Sequence, residues 1–113
     1  MIFLRTFAGF LATSAVLLAL PAQAEELLSF KLTCKNGVFT PRVLQVPAGK
    51  KFRIDISNIG TQAIEFESKQ LRKEKALSPG ASSFVVIYPL DPGEYKFFED
   101  FHLQEGQGSI VAK

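Results

Sequence analysis

The sequence predicts an all-β protein, a Greek-key antiparallel β-sandwich of about seven short strands. From residue 25 onward, apolar residues recur with a period of two and show no sustained 3.6-residue helical period. Turn signals interrupt them roughly every 8–12 residues, a spacing typical of sandwiches. The chain has 113 residues, which fits one small domain.

The first four strands are predicted from alternating apolar residues, each segment ending at a turn signal. The alternation is clearest in the third strand, where Phe52, Ile54 and Ile56 are separated by polar residues. An Asn-Gly turn precedes the second strand and a Pro-Ala-Gly-Lys turn precedes the third. The four strands cover residues 28–32, 43–46, 52–57 and 63–67.

A polar segment and three further strands complete the domain. Residues 68–77 are polar and basic and lack β-branched residues, which predicts an irregular or briefly helical crossover ended by Ser78-Pro79-Gly80. Further strands are predicted at 83–88, 95–98 and 108–112. The loop before the last strand holds the only histidine of the chain, His102.

Residues 1–24 have the features of a secretory signal peptide. Arg5 supplies a positive start, residues 7–20 an apolar stretch, and Ala22-Gln23-Ala24 a small-residue cleavage site. The apolar stretch is shorter than the roughly 20 residues that span a bilayer, although an uncleaved anchor is the alternative. We therefore expect an exported, periplasmic domain over residues 25–113.

Composition excludes several classes of protein and site. A net charge of +2, from 13 Lys+Arg and 11 Asp+Glu, is too weak for a nucleic-acid binder. One His and one Cys exclude a zinc finger, a multi-His metal cage and an internal disulfide. A small exported domain often needs a disulfide or a metal for stability, so we expect an aromatic core, a bound metal or association with another chain. The expected oligomeric state is a monomer or a weak dimer.

The segment from Gly93 to His102 carries the most information, because an aromatic strand there delivers Glu99, Asp100 and His102 into one loop. With the Pro-Ala-Gly and Pro-Gly-Glu-Tyr turns, it resembles the cupredoxin superfamily over nearly the whole mature chain. A narrower set of motifs resembles the small EfeO-type cupredoxin-like proteins of bacterial iron-uptake systems, built around a high-affinity ferric permease. These motifs are residues 36–41 (NGVFTP), 65–68 (EFES), Leu71 with Glu74-Lys75, and 97–102 (FFEDFH).

The resemblance implies which positions correspond to the copper ligands of cupredoxins. Those ligands are a Cys at the strand end, a following His, an axial Met or Gln, and a second His far upstream. Here Glu99 stands in place of the Cys and Glu65 in place of the upstream His, while His102 matches the downstream His and Gln107 falls near the axial position. A blue type-1 copper centre needs a thiolate and two imidazoles, so it is excluded for a single chain.

The resemblance and the residue types together predict an oxygen-rich metal site. Its ligands would be Glu65, Glu99 and His102, with Asp100, Glu67 or Gln107 in addition. Such donors suit harder ions or Cu(II), so the expected cofactor is a copper or iron ion. The alternatives are a hydrogen-bonded surface His102, outward-facing solvated glutamates, and a merely charged loop. Cys34 is expected to be a buried or half-buried thiol that packs as a small hydrophobe, with metal ligation and intermolecular pairing as the alternatives.

Three functions follow as hypotheses. The first, which the resemblance implies, is a periplasmic protein that binds copper or iron and assists iron uptake. It would deliver the ion to a ferric permease or another iron-uptake component of the membrane, or oxidise ferrous iron. The second is a metal-free recognition or assembly module of a membrane complex. The third is a copper electron carrier that borrows a thiolate through dimerisation. The chain offers no set of residues for hydrolytic chemistry, in which His102 would be the only base.

A basic segment is the remaining feature of the sequence. Lys69, Arg72, Lys73 and Lys75 are interrupted by Glu74. They form either a solvated loop or a surface that docks to an acidic membrane partner or to anionic lipid.

Overall fold

The computed structural model describes Gly9, residues 12–15 and residues 27–113. The predicted signal peptide, residues 1–24, lies almost wholly outside the described residues. Among the described residues, no helix has the length and apolar character needed to cross a bilayer. The strands are β1 (Leu28–Lys35), β2 (Val38–Thr40), β3 (Val43–Val46), β4 (Phe52–Asn58), β5 (Ile64–Ser68), β6 (Lys73–Leu77), β7 (Ser82–Ile87), β8 (Gly93–Glu99) and β9 (Gln107–Ala112).

The strands form two sheets, which confirms the all-β sandwich. One sheet has the order β2-β1-β4-β7 and the other β3-β9-β8-β5-β6. Neighbouring strands are antiparallel except for two pairs, β1 with β4 and β3 with β9, which are parallel. The predicted antiparallel sandwich of about seven strands thus has nine strands and includes two parallel pairs. After the β1–β2 hairpin the chain crosses to the other sheet as β3 and returns as β4, in the same direction as β1.

Two strands were not predicted, β2 and β6. The predicted crossover at residues 68–77 is wrong in its second half, because Lys73–Leu77 pairs antiparallel with β5 along its whole length. A tight turn at residues 69–72, with Arg72 at φ 54°, joins the two strands. β6 lies at the edge of its sheet, where alternating Lys and Glu are tolerated and pairing overrides weak β-propensity.

The core lies between the two sheets and is rich in phenylalanine. Phe39 of one sheet meets Phe66 and Phe97 of the other, with ring centroids 5.1–6.0 Å apart. All three rings are almost fully buried. This cluster is the aromatic core expected to hold a small domain together. Every strand and every buried apolar residue found in the described chain lies after residue 27, so a chain that starts at Glu25 keeps the whole sandwich.

The register defines two ends of the sandwich. At the site pole, the turn at residues 36–37 lies beside the loops 59–63 and 100–106, linked by the bond from Ile59 N to Cys34 O (2.9 Å). At the entry pole, Leu28 lies in register with Phe52, and Phe52 with Ile87. There the connections 47–51 and 88–92 are joined by the bond from Gly49 N to Leu90 O (2.9 Å).

Removing one ring from the aromatic cluster tests this account of the core. We expect Phe97→Ala to lower the free energy of unfolding by about 3–5 kcal/mol, because it leaves a cavity between the sheets. Phe84→Ala is the control: Phe84 is 48 % exposed and contacts the Arg53 guanidinium, so its loss should be below about 1 kcal/mol. Urea denaturation measures both. Equal losses would contradict the assignment of the core.

Candidate metal site at one pole of the sandwich

Glu99 is a carboxylate fully buried in the protein. It is the last residue of β8 and, like Phe97, points inward because side chains alternate along a strand. Its Oε1 accepts hydrogen bonds from the backbone N–H of Glu65 (2.9 Å) and of Phe101 (3.1 Å). Its Oε2 lies 2.5 Å from Nδ1 of His102. Both oxygens are thus bonded, which a buried carboxylate requires.

His102 is held in a tight loop against Glu99. The His102 N–H donates to the Glu99 carbonyl (3.1 Å), and Gly106 N–H donates to the His102 carbonyl (2.8 Å). The side chain is 27 % exposed. With Nδ1 directed at Glu99, the other ring nitrogen, Nε2, faces loop 59–63, where it lies 3.0 Å from Oε1 of Gln62. A carboxylate behind an imidazole is the arrangement that orients histidine ligands in metal sites.

Two glycines allow this loop to close on the β1–β2 turn. A Cβ at Gly37, which has φ +82°, would collide with the side chain of His102. A Cβ at Gly106 would lie 2.5 Å from Cβ of Glu99 and 2.8 Å from the Gly37 carbonyl. A larger residue at Gly37 would therefore displace the imidazole, and a larger residue at Gly106 would displace Glu99 or the neighbouring backbone.

Three other predicted ligands lie together on the outer face of the five-stranded sheet. Ile64, Phe66 and Ser68 of β5 are buried, so Glu65 and Glu67 point to the opposite face. One carboxylate oxygen each of Glu65, Glu67 and Asp100 lies within 4.8 Å of the others. We call these three residues the acidic trio. The backbone N–H of Glu65 donates to Glu99, whereas the carboxylate of Glu65 belongs to the acidic trio.

Among the residues that the structure describes, no cation is bonded to the acidic trio. Partial burial raises the pKa of Glu65, and the charges of Asp100, Glu74, Glu67 and Glu99 raise it further. Glu74 is paired directly with Glu67 across the sheet. The ion pairs found among the described residues involve other carboxylates, those of Asp55, Glu94 and Glu99. A cation held between the three carboxylates would relieve this repulsion.

Gln107 and Cys34 stand apart from these groups. Gln107 is exposed at the start of β9, and its amide donates to the Leu103 carbonyl. Cys34 is buried near the end of β1. Burial and the charge of Glu99 raise its pKa to about 11, although a hydrogen bond from the Gly37 backbone acts in the opposite direction. The thiol is therefore protonated at neutral pH and packs as a small hydrophobe, as expected. Cys34 is nevertheless close enough to the site pole for the charge of Glu99 to act on it.

The six predicted ligand residues thus fall into three places. Glu99 meets His102 inside the site pole, the acidic trio lies on the outer face, and Gln107 is separate. Sequence reasoning missed Gln62, which faces Nε2 of His102. The resemblance places an upstream ligand near the end of an inner strand, and Gln62 follows β4 there. The resemblance matches Glu65 to the upstream His, but strand alternation turns its side chain to the outer face.

The donor atoms determine which ions the chain can hold. A type-1 copper centre does not fit, because it needs two imidazoles and a thiolate. The site pole has a single imidazole, bonded to a carboxylate, and the Cys34 thiol is buried and protonated. The oxygen atoms of the acidic trio fit a hard cation. Nε2 of His102 with an amide oxygen fits Cu(II).

The chain belongs to the cupredoxin-like domain family, whose sequence profile matches residues 7–112. It is 38 % identical over 87 residues to an uncharacterised protein of Rickettsia prowazekii (strain Madrid E), which covers 77 % of this chain and 70 % of the relative.

Solved structures confirm the cupredoxin fold. The metal-binding domain of the Cu(I)-exporting P-type ATPase CopA from Streptococcus pneumoniae D39, in a structure with Cu(I), superposes with a TM-score of 0.69 at 12 % identity. The match covers 80 % of this chain and 89 % of that one. A purple cupredoxin from Nitrosopumilus maritimus has a TM-score of 0.56 at 16 % identity, covering 74 % and 98 %.

Replacing Glu99 by its amide tests its part in holding the site pole. Glu99→Gln keeps the shape but puts an NH2 group against a backbone N–H or the ring nitrogen. We expect the free energy of unfolding to fall by about 1–3 kcal/mol, measured by chemical denaturation. The exposed Glu105→Gln on the same loop should stay within about 0.5 kcal/mol of the unaltered chain. A Glu99→Gln protein as stable as this control would show that the carboxylate bonds are dispensable.

Proposed function

We propose that this protein is an exported, periplasmic metal-binding cupredoxin that takes up copper or iron and assists iron uptake. The observation that carries the proposal is the acidic trio, three carboxylates from two distant segments that converge without a bonded lysine or arginine among the described residues. Membership of the cupredoxin-like family and the resemblance to EfeO-type proteins support it. The signal-peptide features of residues 1–24 support the location.

The two donor groups suit different ions. Carboxylate oxygens favour hard ions such as Fe(III), whereas an imidazole with an oxygen donor favours Cu(II). Both groups take residues from one short segment, since Asp100 belongs to the trio while Glu99 orients His102. A bound metal ion would supply positive charge that offsets the carboxylates. The protein would contribute the imidazole of His102, oriented by Glu99, and the carboxylate oxygens of the acidic trio.

Delivery to a ferric permease of the membrane is favoured over oxidation of ferrous iron. Glu99 stands where blue copper proteins have the thiolate that supports rapid electron transfer. Asp100 is exposed and the two glutamates are half-buried, so the trio lies at the surface, where an ion can exchange. We therefore propose a carrier and not an oxidase.

Titration with metals tests the proposal. With Fe(III) supplied as citrate, we expect the double variant Glu65→Gln/Asp100→Asn to bind at least tenfold more weakly, because two of three oxygen charges are lost. With Cu(II), we expect His102→Ala to lose at least tenfold in affinity. Glu105→Gln, an exposed carboxylate outside both groups, is the matched control and should bind as the unaltered chain does. Isothermal titration calorimetry measures each affinity.

The same samples separate the carrier from a metal-free recognition module. A ligand of the native state raises the melting temperature by mass action, so the carrier predicts a rise with metal that the variants reduce. Equal affinities in all four proteins, or an unchanged melting temperature with every metal, would reject the carrier and favour the metal-free module.

The ionised carboxylate of Glu65 should destabilise the chain when no metal is bound. Because the folded state raises the pKa of Glu65, stability at this site falls as the pH rises above about 4.5, the ordinary value for Glu. Glu65→Gln should therefore be more stable than the unaltered chain at pH 7, and this gain should vanish as acid protonates Glu65. Thermal melts across pH measure it.

Glu94→Gln is the control of opposite sign. The hydrogen bond and charge of Lys96 lower the pKa of Glu94, so its ionised form stabilises the fold at neutral pH. Its loss should be slightly destabilising at pH 7. A Glu65→Gln protein that is less stable at pH 7, or a gain independent of pH, would contradict the repulsion within the acidic trio.

A further inference from the structure

The entry pole, opposite the candidate metal site, carries an exposed aromatic ring between two lysines. Tyr88, which follows β7, is 66 % exposed. Nζ of Lys51 lies 5.2 Å from its ring centroid and Nζ of Lys73 lies 5.8 Å from it. Lys51 precedes β4 in one sheet and Lys73 begins β6 in the other. The fold thus brings two cations from separate sheets to one ring.

Lysines predominate around Tyr88. Neither Lys51 nor Lys73 is in an ion pair in the part of the chain that the structure describes. Lys50 is exposed beside Lys51, and Lys113 joins the same pole through its carbonyl, which accepts the Ala48 N–H at 2.9 Å.

Fewer carboxylates than lysines lie near this pole. Asp91 is exposed there and Glu94 is already bonded to Lys96. Glu67 and Glu74 line one recess with Lys73 on the side toward the acidic trio. The entry pole is therefore a cationic surface.

Apolar side chains accompany these cations. Leu27 and Leu28 are 37 % and 40 % exposed where the chain enters β1. Tyrosine and lysine side chains have an apolar body with a polar end, and such residues beside exposed leucines suit the boundary between lipid headgroups and acyl chains.

We propose that the entry pole docks on an anionic phospholipid surface, with the Tyr88 ring among the headgroups and Lys51 and Lys73 on their phosphates. The charge distribution favours one orientation, because the acidic trio lies toward the other pole and is repelled by the same surface. β1 has eight residues and spans about 26 Å, so the site pole would face away from the lipid. This inference is independent of the proposed metal binding.

Vesicle binding tests the docking surface. A chain that starts at Glu25 is sedimented with vesicles of phosphatidylcholine alone or with added phosphatidylglycerol. We expect binding only to the anionic vesicles, weakened by salt. Each lysine near such a surface contributes roughly fivefold in affinity, so Lys51→Gln/Lys73→Gln should weaken binding on the order of 25-fold. Lys35→Gln/Arg42→Gln removes the same charge from exposed residues elsewhere and should weaken it far less.

A fluorescent probe tests the orientation. The chain contains no Trp, so Tyr88→Trp introduces a single reporter at the entry pole. Phe101→Trp, at an exposed residue of the site pole, is the matched control. Brominated phosphatidylglycerol should quench the Trp at position 88 and leave the Trp at position 101 unquenched.

Several outcomes would overturn the proposal. These are equal binding to both kinds of vesicle, equal losses in the two double variants, and equal quenching at the two Trp positions. Release by inorganic phosphate, but not by chloride at the same ionic strength, would identify a free anion as the ligand in place of a membrane.

Discussion

The site pole depends on the buried carboxylate of Glu99. Three groups from two segments meet at its two oxygens. The backbone N–H of Glu65 comes from β5, and the backbone N–H of Phe101 and the imidazole of His102 come from the loop after β8. These bonds join β8 to its neighbour and fix the loop that carries the imidazole. A neutral or shorter side chain would leave buried donors without partners, which costs more than the bonds themselves contribute. The orientation of the imidazole at this pole therefore depends on Glu99.

Two groups of polar residues lie on opposite sides of the end of β8. The side chain of Glu99 is turned inward to the imidazole, while Asp100 is turned outward to Glu65 and Glu67. The inner group is satisfied and holds its histidine firmly. The outer group is a set of like charges, and their repulsion together with partial burial raises the pKa of Glu65.

The sequence was sufficient for the fold class and insufficient for the site. Alternation identifies strands such as β4, where inward Ile and Phe residues are buried by both sheets. It failed for β6, because an edge strand needs no β-branched residues when its partner supplies the hydrogen bonds. Glu65 was expected beside His102, but a side-chain period of two places its carboxylate on the other face. The position of Gln62 beside His102 could not be predicted, because no motif marks a single glutamine in a loop. The contact is evident only from the fold.

The central claim is that Glu99 binds the Nδ1 side of the one imidazole in the protein. Selective 15N labelling of histidine gives two ring signals that belong to His102 alone. The account predicts that Nδ1 carries a proton protected from solvent exchange, and that Glu99→Gln removes this protection while Glu105→Gln does not. An unprotonated Nδ1, or ring signals unchanged by Glu99→Gln, would contradict it.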